Sequence, residues 1–166
     1  MDSTLICVSD LTFVVNGIMA EFQVTPISHN ALPTFFSLVW MRNNYEGDII
    51  FRDYSDPWMT QMANWMDYIV DYLNPLFASN GGPIIMAQVE NEYGWLEKEY
   101  GKNGTRYAEW SAEYANNMNV SVPWIMCAQD DIDDVINTCN GFYCHDWLAG
   151  HWEKYPNQPG LWTESK

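Results

Sequence analysis

The spacing of apolar residues predicts an amphipathic helix in the first half of the chain. Apolar side chains recur there at the i, i+3, i+4 and i+7 positions of one helical face: Trp58, Met62, Trp65, Met66, Ile69, Val70 and Leu73. Ser55 or Asp56 can cap the start of this helix, and Pro57 suits its first turn because that turn leaves amides unpaired. Pro75 prevents the helix from continuing far beyond Leu73.

Short apolar runs predict strands on either side of a second helix. The turn signal Asn-Gly-Gly-Pro is followed by a nearly continuous apolar run at residues 84–89, which is typical of a strand buried on both faces. The second helix is predicted over residues 105–118, with Tyr107, Trp110, Tyr114, Ala115 and Met118 along its apolar side. Further strands are predicted at residues 11–15, 35–41, 122–127, 135–138 and 161–163.

Buried strands that alternate with helices indicate an α/β fold with a parallel sheet under helical cover. Right-handed crossovers then leave two architectures open, a barrel or a doubly wound sheet. The 166 residues suffice for one packed domain, because 48% of them are hydrophobic and 16% aromatic. An apolar run long enough to span a membrane is absent from the sequence.

The net charge of the chain indicates which classes of partner it can bind. Twenty-two acidic and seven basic residues give a formal net charge of −15, which opposes binding to nucleic acid or to an anionic membrane surface. A neutral substrate or partner is expected instead. Residues 1–22 do not predict a signal peptide, because no basic segment precedes their apolar positions.

The cysteines and acidic residues do not predict a metal site. Cys127, Cys139 and Cys144 cluster without the paired spacing of a zinc site, and they predict one disulfide of undetermined pairing. The acidic run at residues 129–134 lacks the ligand spacing of a calcium loop. The three histidines show no i, i+4 pairing. Sequons at Asn103 and Asn119 are typical of a secreted protein.

Two predicted strands end in carboxylates. Residues 88–94 (QVENEYG) place Glu90, Asn91 and Glu92 at the end of a strand suited to burial, and residues 161–164 (LWTE) end in Glu164. Burying a carboxylate is costly unless the group has a partner or a functional role. Catalytic groups of parallel α/β folds also gather at the carboxyl ends of strands. Glycoside hydrolysis requires two such carboxyl groups facing each other.

These residues carry a resemblance to a known family. Residues 81–94 (GGPIIMAQVENEYG) closely resemble the signature of the glycoside hydrolase family 35 β-galactosidases, and the similarity to plant-type members continues through residues 122–127, 138–144 and 162–164. Fainter similarity surrounds residues 39–42. The resemblance covers residues 57–166, whereas residues 1–40 match poorly.

The resemblance implies a (β/α)₈ barrel that removes terminal β-linked galactose from galactosides with retention of configuration. By the family motif Glu92 is the general acid/base and Glu164 the nucleophile, and Asn91 binds the sugar 2-hydroxyl. Glu90 is expected to support the site rather than react, and Trp95 is the one aromatic residue nominated for stacking on sugar. No cofactor is implied. The family also implies a secreted, extracellular, vacuolar or lysosomal location.

The chain is expected to form an incomplete barrel. A full (β/α)₈ barrel takes about 250 residues, so residues 1–166 are expected to form part of a catalytic domain whose remainder lies elsewhere. An incomplete barrel exposes sheet edges, which disfavours stability. The alternative function is therefore a catalytically inactive, truncated homologue that binds carbohydrate or a partner weakly at most.

Overall fold

The computed structural model describes residues 49–164 in full and residues 11–15 and 18–22 by their backbone alone. Six strands are present in these segments: β1 (Leu11–Val15), β2 (Ile18–Phe22), β3 (Ile84–Asn91), β4 (Trp124–Cys127), β5 (Ile136–Asn140) and β6 (Trp162–Glu164). Four α-helices accompany them: α1 (Asp56–Leu73), α2 (Gly94–Tyr100), α3 (Lys102–Asn117) and α4 (Cys144–Lys154). The predicted strand at residues 35–41 and the similarity at 39–42 lie outside the described residues.

The strands form one sheet in the order β2-β1-β3-β4-β5-β6. Strands β3 to β6 are parallel neighbours, with α2 and α3 between β3 and β4 and α4 between β5 and β6. This arrangement is an incomplete (β/α)₈ barrel, which confirms the predicted fold. Parallel order brings the carboxyl ends of β3, β4, β5 and β6 to the same edge, where the candidate carboxylates lie.

The first two strands depart from the parallel pattern. They form an antiparallel hairpin in which Val15 pairs with Ile18, and β1 continues antiparallel onto β3 through the pair Thr12 and Gln88. The predicted strand at residues 11–15 is confirmed. The hairpin covers the edge of β3, so the backbone groups on that side of β3 are paired in the sheet.

Helix α1 confirms the prediction made from its periodicity. All seven residues of the predicted apolar face are buried in the core. Ser55 occupies the N-cap position, but its side chain makes no capping hydrogen bond, whereas Pro57 lies in the first turn as expected. The helix ends at Leu73 and gives way to a short 3-10 turn at Asn74–Leu76.

The apolar face predicted for the second helix is partly wrong. In α3 the buried residues are mostly small ones, namely Gly104, Tyr107, Ala108, Ser111, Ala112 and Ala115. Trp110, Tyr114 and Met118 are only partly buried and pack at the edge of the core. Small residues occupy this face because α3 lies very close to α2. A Cβ at Gly104 would lie only 2.2 Å from the carbonyl oxygen of Glu97 in α2.

The sequence did not predict α2 and α4. Helix α2 has seven residues and buries only Glu97, and α4 buries only Cys144 and His151. Neither helix therefore carries the apolar stripe from which a helix can be recognised in sequence.

The structure settles the pairing of the clustered cysteines. Cys139, near the end of β5, forms a disulfide with Cys144 at the start of α4, with 5.7 Å between the Cα atoms. The predicted disulfide is confirmed, and Cys127 is a buried free thiol at the end of β4. Burial raises the pKa of Cys127 to about 11 and the carboxylates of Glu164 and Glu92 add to the rise, although the neighbouring Thr163 hydroxyl opposes it.

We expect Cys127 to be inert towards alkylation in the folded chain. A thiol with a pKa near 11 is almost wholly protonated at pH 8, and only the thiolate is the nucleophile. Iodoacetamide should therefore leave Cys127 unmodified in native protein and label it after denaturation, as measured by peptide mass spectrometry. The unfolded chain releases this proton near pH 9, so the free energy of unfolding should also fall as pH rises from about 9 to 11. Rapid labelling of the native chain would contradict the burial.

Candidate active site

The end of β3 is an irregular segment that redirects its polar side chains. Glu90 and Glu92 both have positive φ angles, 64° and 54°, in the left-handed region that residues other than glycine rarely adopt. The register between β3 and β4 shifts between Gln88 and Asn91. Such a bulge re-aims side chains, and here it buries Glu90 while Asn91 and Glu92 remain half-buried.

Glu92 and Glu164 meet at one buried amide. The Nδ2 group of Asn140, at the end of β5, donates a hydrogen bond of 2.9 Å to Oε1 of Glu92 and another of 2.9 Å to Oε1 of Glu164. Asn140 is 1% exposed. The structure thus brings together the two carboxylates that the sequence singled out, although β4 and β5 lie between their strands.

The shared donor limits the separation of the two carboxylates. Their Oε1 atoms cannot be farther apart than twice 2.9 Å. Because the two hydrogens of a planar amide diverge by about 120°, linear hydrogen bonds place those oxygens about 5 Å apart. Retaining glycosidases hold their two carboxyl groups about 5–5.5 Å apart, whereas inverting enzymes leave a wider gap for water.

The orientation of the Asn140 amide is fixed from its other side. The Thr163 hydroxyl donates to Oδ1 of Asn140 at 2.6 Å, and Thr163 lies beside Glu164 in β6. A flipped amide would turn its oxygen towards two carboxylates. Sequence reasoning assigned no role to Asn140, although it lies in the segment at residues 138–144 that resembles the family.

Glu90 lies in a separate, more deeply buried network. It is 2% exposed, forms an ion pair with the Arg52 guanidinium and accepts a hydrogen bond of 2.6 Å from the Tyr107 hydroxyl. Burial, followed by the charge of Glu90, raises the pKa of Tyr107 well above its ordinary value. Arg52 also donates to the carbonyl oxygen of Asn91 at 2.6 Å. Sequence reasoning missed Arg52, because nothing near it in sequence indicates a partner.

The two remaining candidates lie on either side of Glu92. Asn91 ends β3, and its side-chain oxygen accepts a hydrogen bond of 3.3 Å from Gln88. Trp95, in α2, is 57% exposed and lines a cavity whose lining includes neither Glu92 nor Glu164. Asn91 thus directly precedes Glu92 at the end of β3, whereas Trp95 lies on a neighbouring surface.

The described residues hold no cluster of three His, Cys, Asp or Glu side chains arranged for a metal ion. Within the same part of the chain, no helix combines the length and apolar character that a bilayer span requires.

The pair of carboxylates about 5 Å apart is suited to proton transfer and nucleophilic attack on opposite sides of one bond.

Comparison with known proteins places this site in a family. The model of glycosyl hydrolases family 35 matches residues 37–166. A probable β-galactosidase 2 of Dictyostelium discoideum is 61% identical over 118 residues, which cover 71% of this chain and 16% of that protein. β-Galactosidase 10 of Arabidopsis thaliana is 47% identical, and β-galactosidase 3 of Oryza sativa subsp. japonica is 45% identical, each over 130 residues and 76% of this chain.

The matched segments are small parts of these relatives. The chain spans 17% of the Arabidopsis protein and 15% of the rice protein. The family match at residues 37–166 nevertheless covers the strands that carry Glu92, Asn140 and Glu164. On the extent of the family match and the identity to these relatives, the chain belongs to glycosyl hydrolases family 35.

Proposed function

We propose that the site hydrolyses terminal β-galactosides with retention of configuration. The observation that carries the proposal is the Asn140 amide shared by Glu92 and Glu164, which lies 2.9 Å from one oxygen of each carboxylate and so keeps the two groups close together. The names of the relatives supply the substrate class: all three are β-galactosidases. A neutral sugar also suits a chain of net charge −15.

The two carboxylates have different tasks in this mechanism. The Glu164 carboxylate attacks the anomeric carbon and forms a glycosyl ester while Glu92 gives its proton to the departing oxygen. Glu92 then takes a proton from water, whose oxygen attacks the same carbon and releases Glu164. Two inversions leave the sugar with its original configuration.

The surrounding residues position these groups. Asn140 fixes the position of both carboxylates and partly offsets their mutual repulsion, since a hydrogen bond to an ionised group is worth roughly 1.5–3 kcal/mol. Asn91, next to Glu92, binds the sugar 2-hydroxyl, a contact that strengthens in the transition state. Arg52 and Glu90 hold the irregular end of β3, through the Glu90 side chain and the Asn91 carbonyl.

We further propose a secreted, extracellular, vacuolar or lysosomal location. Disulfides persist in oxidising compartments, and Cys139 is bonded to Cys144. Asn103 and Asn119, the first residues of the two sequons, are both exposed and so accessible to glycosylation.

Conservative replacement of either carboxylate should abolish hydrolysis of an ordinary galactoside. We expect Glu92→Gln to lower kcat/KM by roughly 10²–10⁴-fold on p-nitrophenyl β-galactoside, because general acid catalysis of glycosyl-ester formation is lost. On the 2,4-dinitrophenyl glycoside, whose leaving group needs no proton, kcat/KM should stay closer to that of the parent, whereas kcat should fall because the base of the second step is also lost. Glu164→Gln should be inactive on both substrates because attack itself is lost.

Product stereochemistry and the unmodified chain complete this test. NMR of the first product should show β-galactose before mutarotation. A folded parent chain that hydrolyses neither glycoside, with normal near-UV and far-UV circular dichroism, would favour the inactive, truncated homologue. An equal loss of kcat/KM on both glycosides in Glu92→Gln would contradict its role as the acid.

Removal of the shared donor should affect chemistry more than folding. In Asn140→Ala both carboxylates lose a hydrogen bond, and we expect kcat to fall about 10–100-fold. Asn137→Ala is the matched control, because Asn137 is equally buried in β5 but its side-chain amide donates to the Ile132 carbonyl oxygen at 2.8 Å. The control should lose stability in urea yet keep kcat. A similar fall in kcat for both variants would contradict the role of Asn140.

The buried ion pair should be costly to break from one side. Arg52→Ala leaves Glu90 charged and buried, and we expect the free energy of unfolding to drop by about 3–5 kcal/mol. The double variant Arg52→Ala/Glu90→Ala should lose less than the two single variants together, which a urea double-mutant cycle measures. Additive losses would show that the two side chains do not interact.

A further inference from the structure

The Thr163 hydroxyl lies in a network of buried polar groups next to the carboxylate pair. Its Oγ1 atom is 2.6 Å from Oδ1 of Asn140, 3.0 Å from Oγ1 of Thr138, 3.2 Å from Sγ of Cys127 and 3.3 Å from the carbonyl oxygen of Cys139. All four of these neighbours are buried. The network therefore joins β4, β5 and β6 at their carboxyl ends.

A threonine hydroxyl has one hydrogen, and the neighbours of Thr163 decide where that hydrogen points. Neither the Asn140 side-chain oxygen nor the Cys139 carbonyl can donate, and the Asn140 oxygen is the nearer of these two acceptors. A separation of 2.6 Å also fits an O–H···O bond better than an N–H···O bond. The hydrogen of Thr163 is therefore donated to Oδ1 of Asn140.

The two other neighbours of Thr163 carry hydrogens that they can donate. The Thr138 hydroxyl has one, and the Cys127 thiol retains its own at neutral pH because burial raises the pKa of that thiol to about 11. Both lie within reach of the lone pairs of the Thr163 oxygen. Donors at this oxygen oppose an arrangement in which it accepts from the Asn140 amide. The amide thus keeps its oxygen towards Thr163 and its Nδ2 group towards the carboxylates.

This orientation determines which oxygen of Glu92 carries the acid proton. Oε1 of Glu92 accepts a hydrogen from Asn140 at 2.9 Å. In a protonated carboxyl group the carbonyl oxygen is the stronger acceptor, so the proton belongs on Oε2. If the amide turned over, its oxygen would face Glu92 and accept the acid hydrogen, which would then be withheld from a substrate.

We propose that Thr163 is a positioning residue that keeps the acid proton of Glu92 on Oε2, by holding the Asn140 amide with its donors towards the carboxylates. The inference rests on the hydrolysis proposed above. In that reaction the proton passes from Oε2 to the glycosidic oxygen as its bond to the anomeric carbon breaks, and Glu164 forms the new bond to that carbon. Thr163 acts through Asn140 rather than on the substrate.

Ionisable groups from three strands lie around Glu92. Glu164 of β6 shares a donor with it, and Cys127 of β4 is close enough for the Glu92 charge to act on its thiol. On β3 itself, Glu90 is paired with Arg52, which also bonds the carbonyl oxygen of the residue before Glu92. Removing the threonine hydroxyl leaves all these groups in the chain, so a variant at that position reports on the amide.

NMR of the Asn140 side-chain amide tests the proposal without requiring hydrolysis. Asn140→Ala identifies the amide resonances in a proton–nitrogen correlation spectrum of the whole chain. In the parent, the amide hydrogens should keep their NOEs to the side chains of Glu92 and Glu164 from about pH 7 to about pH 4, the range in which a glutamate takes up its proton. In Thr163→Val these NOEs should be lost as the pH falls and be replaced by NOEs to the introduced methyl groups.

Two matched variants control for the loss of a buried hydroxyl. Thr163→Ser keeps the donor, and Thr138→Val removes a hydroxyl that contacts Thr163 but not the amide. Both should keep the NOEs of the parent, and each variant is checked by near-UV circular dichroism. The parent alone decides the matter if Thr163→Val does not fold, because an amide that turns over in the parent at low pH overturns the proposal.

Kinetics provide a second, separate readout. Thr163→Val should lower kcat/KM about tenfold on p-nitrophenyl β-galactoside and much less on the 2,4-dinitrophenyl glycoside, and Thr163→Ser should restore the parent value. Equal losses on both glycosides, or an unchanged amide in Thr163→Val at low pH, overturn the role of Thr163. A chain that hydrolyses neither glycoside but shows the expected NOEs contradicts the proposed hydrolysis alone and leaves the hold of Thr163 on the amide standing.

Discussion

Two ionised carboxylates that meet at one point repel each other, and the edge of the sheet where Glu92 and Glu164 meet depends on the donor provided by Asn140, which partly offsets that repulsion. Its amide bonds Glu92 from β3 and Glu164 from β6, and Thr163 holds that amide in the required orientation. Three strands are thereby joined at their carboxyl ends. A parallel sheet makes this possible because those ends all lie at the same edge.

A second constraint is the strained backbone at the end of β3. Glu90 and Glu92 both have left-handed backbone conformations, each of which costs of order 1–3 kcal/mol unless the surroundings hold it. Arg52 and Tyr107 bind the Glu90 carboxylate, and Arg52 also binds the Asn91 carbonyl. The strain at the end of β3 is therefore held by a buried ion pair and a tyrosine hydroxyl from α3.

The same edge of the sheet supports two chemically different surfaces. Side chains that point along the ends of β3, β5 and β6 bring the carboxylate pair together. Gln129, in the loop that follows β4, lines a separate cavity together with Trp95, Tyr143 and Trp147.

The sequence alone determined α1, the buried strands and the carboxylates at their ends, because periodicity, turn residues and an unusual carboxylate after an apolar run are local signals. It also identified the family through the segment around Glu92. Only the tertiary structure decided that Asn140 joins Glu92 to Glu164, that Arg52 pairs with Glu90 across 38 residues, and that Cys139 rather than Cys127 bonds to Cys144. It likewise decided that small residues of α3 face the core and that α2 and α4 form without an apolar stripe. These features depend on contacts between residues distant in sequence, and no local pattern records such contacts.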